Sequence, residues 1–132
     1  MSVLISYHGN AESDAALKLA LQLAHLRRTH LVIVVAARFS KGDKRTVSNA
    51  HDRLWEALEG TTIPFKVISA TADKTVSESV LDTAVATDVD LIVLGLRRGG
   101  SKHTYMGDNA TRILLDAPCP VVTTTEHVLE DE

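Results

Sequence analysis

The residues with the most chemical capacity fall in one run, Gly95-Leu96-Arg97-Arg98-Gly99-Gly100-Ser101-Lys102-His103-Thr104-Tyr105-Met106-Gly107-Asp108-Asn109. Its four glycines let backbone N–H groups approach a phosphate closely, because no Cβ stands in the way. A helix opening at Gly107 adds the partial positive charge of its N-terminus. Arg97, Arg98, Lys102 and His103 make the segment basic within an otherwise acidic chain. The chemistry these residue types support is capture of a small anion or a nucleotide phosphate. Arg97 and Arg98 are the side-chain candidates, since a guanidinium meets phosphate as a bidentate fork. Gly99, Gly100 and Gly107 are the backbone candidates. A plain chain reversal with solvated cations uses the same residues, and the pattern alone weighs the two readings evenly. Neither G-x-G-x-x-G nor G-x-x-x-x-G-K-[ST] occurs, so Rossmann dinucleotide and Walker-type phosphate binding drop out.

A second candidate lies near the other end of the chain, where Tyr7-His8-Gly9-Asn10 follows a short apolar run. His8 can hydrogen-bond a nucleobase or a phosphate there. The remaining histidines, His25, His30, His51, His103 and His127, are scattered. None of the six forms an i, i+4 pair or a cysteine–histidine ligand set, so no metal is expected. No G-x-S-x-G surrounds Ser6 or Ser101, and Cys119 sits between Pro118 and Pro120. No nucleophile, and therefore no catalysis, is expected.

The elements that must position these residues follow from composition and periodicity. The chain has 132 residues, 45% apolar but only 4% aromatic, enough aliphatic material for one packed domain. Fourteen basic against 17 acidic side chains leave a formal charge of −3. That balance argues against a nucleic-acid partner, which wants a basic surface. The single Cys119 rules out an internal disulfide, and MSVLISYHGN lacks the features of a signal peptide; a cytoplasmic location is expected. The longest apolar run, Leu31 to Ala37, is too short to span a bilayer.

Strand-like runs at Val3–Ser6, Leu31–Val35, Phe65–Ile68, Asp90–Gly95 and Val121–Thr125 alternate with helical patterns. Leu17, Ala20, Leu21 and Ala24 share one helical face, with Asn10 or Ser13 as N-cap. A second helix opens at Gly42-Asp43, aligns Val47, Ala50, Leu54 and Leu58, and ends at Gly60. A third carries Val76, Val80 and Ala84, with Leu81 and Val85 as weaker members. A fourth covers Asp108 to Asp116 with Asp108 as its N-cap. The alternation predicts an α/β fold, a single doubly wound domain whose five-stranded parallel sheet has helices on both faces. Residues 1–126 form that domain and 127–132 an acidic tail. Ligands of such sheets bind beyond the strands' carboxyl ends, at the topological switch point. The candidate site is therefore Tyr7, His8, Gly9, Val35, Gly95, Arg97, Arg98, Gly99, Gly100, Gly107, Asp108 and Asn109. Trp55 reads as core or partner-facing packing beside Leu54 and Leu58.

The order of elements, the opening VLISYHGNAESDAALKLALQLA, the strand DLIVLG, Gly107 and the closing ATRILLDAPCPVV resemble the universal stress protein (UspA) family over essentially the whole chain. The resemblance implies an adenine nucleotide alpha hydrolase-like fold and a homodimer paired through the last strand, Val121–Thr125. It also implies a stress-response binding or regulatory role without catalysis. Family members with a G-x2-G-x9-G-[S/T] loop bind ATP; others lack the loop and bind none. This chain departs from that loop. Arg98 stands three residues after Gly95 where glycine is usual, the loop to Gly107 is one residue shorter, and Asp108 replaces the serine or threonine. His8 takes the place of an aspartate and Asn10 that of a serine. Two readings follow: a degenerate adenine-nucleotide or anion site, with ATP or a relative as ligand, or a homodimeric scaffold that binds no nucleotide.

Overall fold

Five short aliphatic runs pair into one parallel sheet. A computed structural model describes residues 2–35, 52–71, 73–98, 104–105 and 107–125. In chain order the elements are β1 (Ser2–Tyr7), α1 (Ala11–Leu26), β2 (His30–Val35), α2 (helical over 52–58), β3 (Phe65–Ser69), α3 (Val76–Ala86), β4 (Leu91–Gly95), β5 (Arg97–Arg98), β6 (Thr104–Tyr105), α4 (Asp108–Asp116) and β7 (Val121–Thr124). The sheet order is β3-β2-β1-β4-β7, with every neighbouring pair parallel. The sequence-predicted start of the second helix, with Val47 and Ala50, and the acidic tail lie outside the described residues.

The pleat sorts each strand between two cores. Val3, Ile5 and Tyr7 of β1 join Leu31, Ile33 and Val35 of β2 under Ala16, Leu17, Ala20 and Ala24 of α1 and Leu54 and Leu58 of α2. Leu4, Val32, Val34, Ile92 and Leu94 point the other way, against Val80 and Ala84 of α3 and Ile113 of α4. β1, β2 and β4 are covered on both sides, which is why they read as unbroken apolar runs and not as alternating ones. On α3 the expected apolar face stops at Ala84: Val85 is exposed.

Sequence also sets the helix starts. Asn10 caps α1, its Oδ1 accepting the Ser13 N–H at 3.0 Å while the Ser13 Oγ accepts the Asn10 N–H at 3.1 Å. Thr75 and Glu78 repeat the reciprocal pattern on α3. The helix ends are less conventional. Arg28 after α1 and Asp88 after α3 both sit at φ 53°, a left-handed position usually given to glycine. In each case the next residue's N–H donates back to an alanine carbonyl, Thr29 to Ala24 and Val89 to Ala84, both at 3.0 Å. Arg28 and Asp88 themselves donate to the His25 and Val85 carbonyls at 3.2 and 3.4 Å, and the two hydrogen bonds to each last turn offset the strain of a side chain at that position.

A further difference lies after β4. The sequence suggests a glycine- and arginine-rich loop. The chain instead folds back on itself, with Arg97 opposite Tyr105 and Arg98 opposite Thr104 in an antiparallel ribbon. Backbone pairing of two residues leaves no hydrophobic period to read.

Candidate ligand site at the topological switch point

Strand order reverses between β1 and β4, which makes their carboxyl ends the topological switch point where ligands of such sheets bind. The Tyr7–Asn10 turn leaves from one side and Gly95 from the other. Between them, the start of α1 is tied to the turn by one hydroxyl. Ser13 Oγ accepts the N–H of His8 at 3.2 Å as well as that of Asn10. Its residue, weighed from sequence as a cap, is instead the third residue of the helix and the organiser of the turn.

The candidate residues then separate into groups. Tyr7 and Val35 are register partners, and their side chains are buried in the α1-facing core, so only their backbone groups face the strand ends. The Tyr7 hydroxyl donates to Asp14 Oδ1 at 2.7 Å, and burial raises the phenol above its usual value against the opposing pull of Arg53. His8 is half-buried, its Nε2 lying 2.9 Å from the Ser6 Oγ. Gly9 makes the turn at φ 71°. Gly95 is closed in: a Cβ there would stand 2.1 Å from the Glu12 carbonyl oxygen. Its glycine is accounted for by α1 packing across the end of β4. Arg97 is exposed on β5. Gly99 and Gly100, with Ser101, Lys102 and His103, lie outside the described residues, as does the side chain of Arg98.

At α4 one expectation is corrected. Asp108 was expected to cap the helix through its carboxylate. Gly107 is the N-cap instead, in extended conformation with no side-chain cap bond, and Asp108 is the first helical residue. The Thr111 N–H bonds the Gly107 carbonyl at 3.0 Å, which makes Gly107 the residue that opens the helix. The first-turn amides of α4 therefore have no carboxylate cap, though the exposed Asp108 charge stays beside them. Asn109 bridges elements: its Oδ1 accepts the Ser77 N–H of α3 at 3.1 Å. It ties the N-termini of α3 and α4 together.

Sequence reasoning missed Asp14 and Arg53. Arg53 of α2 pairs with Asp14 and donates from Nη1 to the Gly9 carbonyl at 3.1 Å. Tyr7, Asp14, Arg53 and Gly9 thus form one polar chain from the core to the turn. The only available signal was a tyrosine at a strand end with an aspartate seven residues on; nothing local points to residue 53. Described residues line three concavities that include none of Tyr7 to Asn10 or Gly95. One of about 430 Å³ runs between α1 and α2, floored by Leu17 and Leu21. Another, of about 640 Å³, lies by Arg28, His30 and Pro64 at the amino end of the sheet, and the third adjoins Trp55. Among the described residues no three of His, Cys, Asp and Glu gather as for a metal ion, and no helix is long and apolar enough to cross a membrane. Burial, and secondarily Asp90, push the Cys119 thiol up, away from a reactive thiolate.

A parallel sheet turning between β1 and β4, with helices on both faces, defines a doubly wound α/β domain. The family model described as the universal stress protein family matches residues 1–124, and the chain belongs to that family. A "Universal stress protein in QAH/OAS sulfhydrylase 3'region" from Thermus aquaticus is 25% identical over 132 residues, covering 92% of this chain and 96% of its own. Among solved structures, the universal stress protein from Archaeoglobus fulgidus superposes with a TM-score of 0.72 at 19% identity, over 93% of this chain and 92% of that one. A structure of the Archaeoglobus fulgidus universal stress protein in complex with dAMP superposes at 0.70 with 18% identity, over 93% and 96%.

Proposed function

We propose that this chain is a cytoplasmic stress-response binding and regulatory module, not a catalyst. Its ligand is an adenine nucleotide or a related small phosphate, bound between the Tyr7–Asn10 turn and the α4 N-terminus. The observation that carries the reading is the switch point between β1 and β4 followed by a helix N-terminus without a side-chain cap. The dAMP complex of the Archaeoglobus fulgidus protein supports the ligand class. Arg97 contributes a side-chain contact and His8 the nucleoside end; Arg98, Gly99 and Gly100 complete the phosphate contacts.

Titration of ATP, ADP and AMP while following thermal unfolding tests this. A nucleotide at 100 times its dissociation constant is expected to add about 2.7 kcal/mol to stability; no shift at millimolar nucleotide defeats the proposal. Asp108→Ser removes a negative charge beside the α4 amides and is expected to tighten binding about two- to fivefold. Arg97→Ala weakens it.

A second reading, a homodimeric interaction scaffold, draws on the sheet edge. Among the described residues β7 pairs only with β4, and α4 beside it leaves Leu115 78% exposed. Pairing of β7, Val121–Thr125 in the sequence reading, with the same strand of a second copy would satisfy that edge. Light scattering is expected to give the mass of two chains. Thr123→Lys on the exposed side of β7 brings like charges together across the two-fold axis and weakens association by about a hundredfold. An unchanged mass for the variant moves the interface elsewhere.

A further inference from the structure

Trp55 lies in a groove that the switch-point site does not use. Its neighbours Leu54 and Leu58 are buried, but Trp55 itself remains 50% exposed. The indole stands 5.7 Å from the Phe65 ring, tilted by 59°. The concavity there is about 580 Å³ and is lined by Asp52, Trp55, Glu56, Leu58, Glu59 and Phe65. Its floor is apolar and aromatic, and among the described residues its rim carries only carboxylates. The ion pairs among the described residues use none of those three acids. Arg53, the one cation of the helical stretch 52–58, is turned to Asp14 and Gly9.

Asp52, Glu56 and Glu59 recur at i, i+4 and i+7, with Trp55 among them. At 1.5 Å per residue the acidic ridge is about 10 Å long. Carboxylates strung along that length cannot converge on one metal ion, and they repel phosphates and nucleic acids. They match cations spaced at the same interval. In a polyproline II segment, with three residues per turn and a rise of about 3.1 Å, side chains three residues apart share one face and stand about 9 Å from each other.

We propose that this groove docks a basic segment of a partner protein in polyproline II conformation, with two arginines three residues apart on its facing side. One guanidinium stacks on the Trp55 ring beside Asp52, and the other meets Glu59, with Glu56 between them. Arginine suits both ends, since its planar cation stacks on indole and forks onto a carboxylate. Phe65 and Leu58 take the apolar atoms of the intervening residues. This surface is independent of any nucleotide and gives the protein a second, protein-directed point of contact.

Trp55 is the chain's single tryptophan, so its emission reports on the groove directly. The probe is acetyl-Gly-Arg-Ser-Gly-Arg-Gly-amide, titrated at low ionic strength. Emission is expected to change and saturate at millimolar peptide or below, and added salt weakens the effect. Glu56→Gln combined with Glu59→Gln is expected to weaken binding about five- to tenfold, as loss of two exposed ion pairs implies. Trp55→Leu keeps the apolar area and weakens binding about fivefold by calorimetry, with circular dichroism confirming the fold. Four results each overturn the proposal: no emission change at millimolar peptide, an equal response to the peptide with glutamates for arginines, equal affinity for arginine amide alone, or unchanged binding by Trp55→Leu. Emission that depends on protein concentration without any peptide would assign the groove to a second copy of the chain, and equally overturns it.

Discussion

Gly95→Ala is expected to lower the free energy of unfolding by about 3 kcal/mol, the upper end of what overpacking costs. For a domain of this size that corresponds to a fall in Tm of about 10 °C. The new methyl would meet the Glu12 carbonyl oxygen at 2.1 Å and the Glu12 carbonyl carbon at 2.5 Å. Both are backbone atoms in the first turn of α1, so no rotamer change relieves the clash. Relief requires α1 to move away from β4. That motion opens the core beneath Ala16 and Leu17 and disturbs the capping box that Asn10 forms with Ser13. Urea unfolding followed by circular dichroism measures the loss; a variant within 0.5 kcal/mol of the parent would show that α1 shifts freely, against the packing described.

The same residue shows what a sequence does and does not disclose. Gly95 at the end of an apolar strand, followed by more glycines and arginines, reads as the start of a phosphate loop. Packing accounts for it independently, because α1 crosses the strand end. A glycine needed for close helix–strand approach and one needed for a ligand look alike in sequence. The strands themselves were legible, since a strand covered on both faces must be apolar throughout. The fourth helix, Asp108–Asp116, has the expected bounds, because Pro118 and Pro120 limit its end. Its cap is Gly107 and not the expected Asp108, since glycine and aspartate are both acceptable N-caps and the Thr111 bond to Gly107 decides between them.

What sequence left out depends on residues far apart along the chain. Arg53 and Asp14 are 39 positions apart, as are helices meeting over a sheet, and no local period marks such a pair. Their connection matters for the site. Arg53 holds the Gly9 carbonyl while Asp14 accepts the buried Tyr7 hydroxyl, so the turn after β1 is fixed from α2 as well as from α1. The ribbon of β5 and β6 was equally invisible, because its pairing is carried by backbone groups. Of the candidate residues read from sequence, Tyr7, His8, Gly9, Val35, Gly95, Gly107, Asp108 and Asn109 stand at strand ends or a helix start, where topology alone determines position.

Ile113→Ala is expected to cost about 3 kcal/mol, within the 2–5 kcal/mol range for truncating a buried isoleucine. Ile113 is the buried side chain of α4, 1% exposed, packed with Leu4, Ile92 and Val80 in the second core. Leu114 and Leu115 beside it are exposed, so no neighbour on the helix can take over its cavity. The other fixed point of α4 is Asn109, whose Oδ1 receives the Ser77 N–H. With Ile113 truncated, that hydrogen bond and the partly buried Ala110 and Ala117 are left to hold the helix. The amide protons of α4 should therefore exchange faster than the global loss of stability explains, while those of β1 follow the global loss alone. Ile113→Val should cost only about 1 kcal/mol, because most of the contact remains. If truncation to alanine costs less than that, or if α4 and β1 exchange in step, then α4 is not anchored through Ile113. A helix that carries its N-terminus to a ligand must be held at that N-terminus, and the hydrogen bond from Asn109 to α3 would then have to do so unaided.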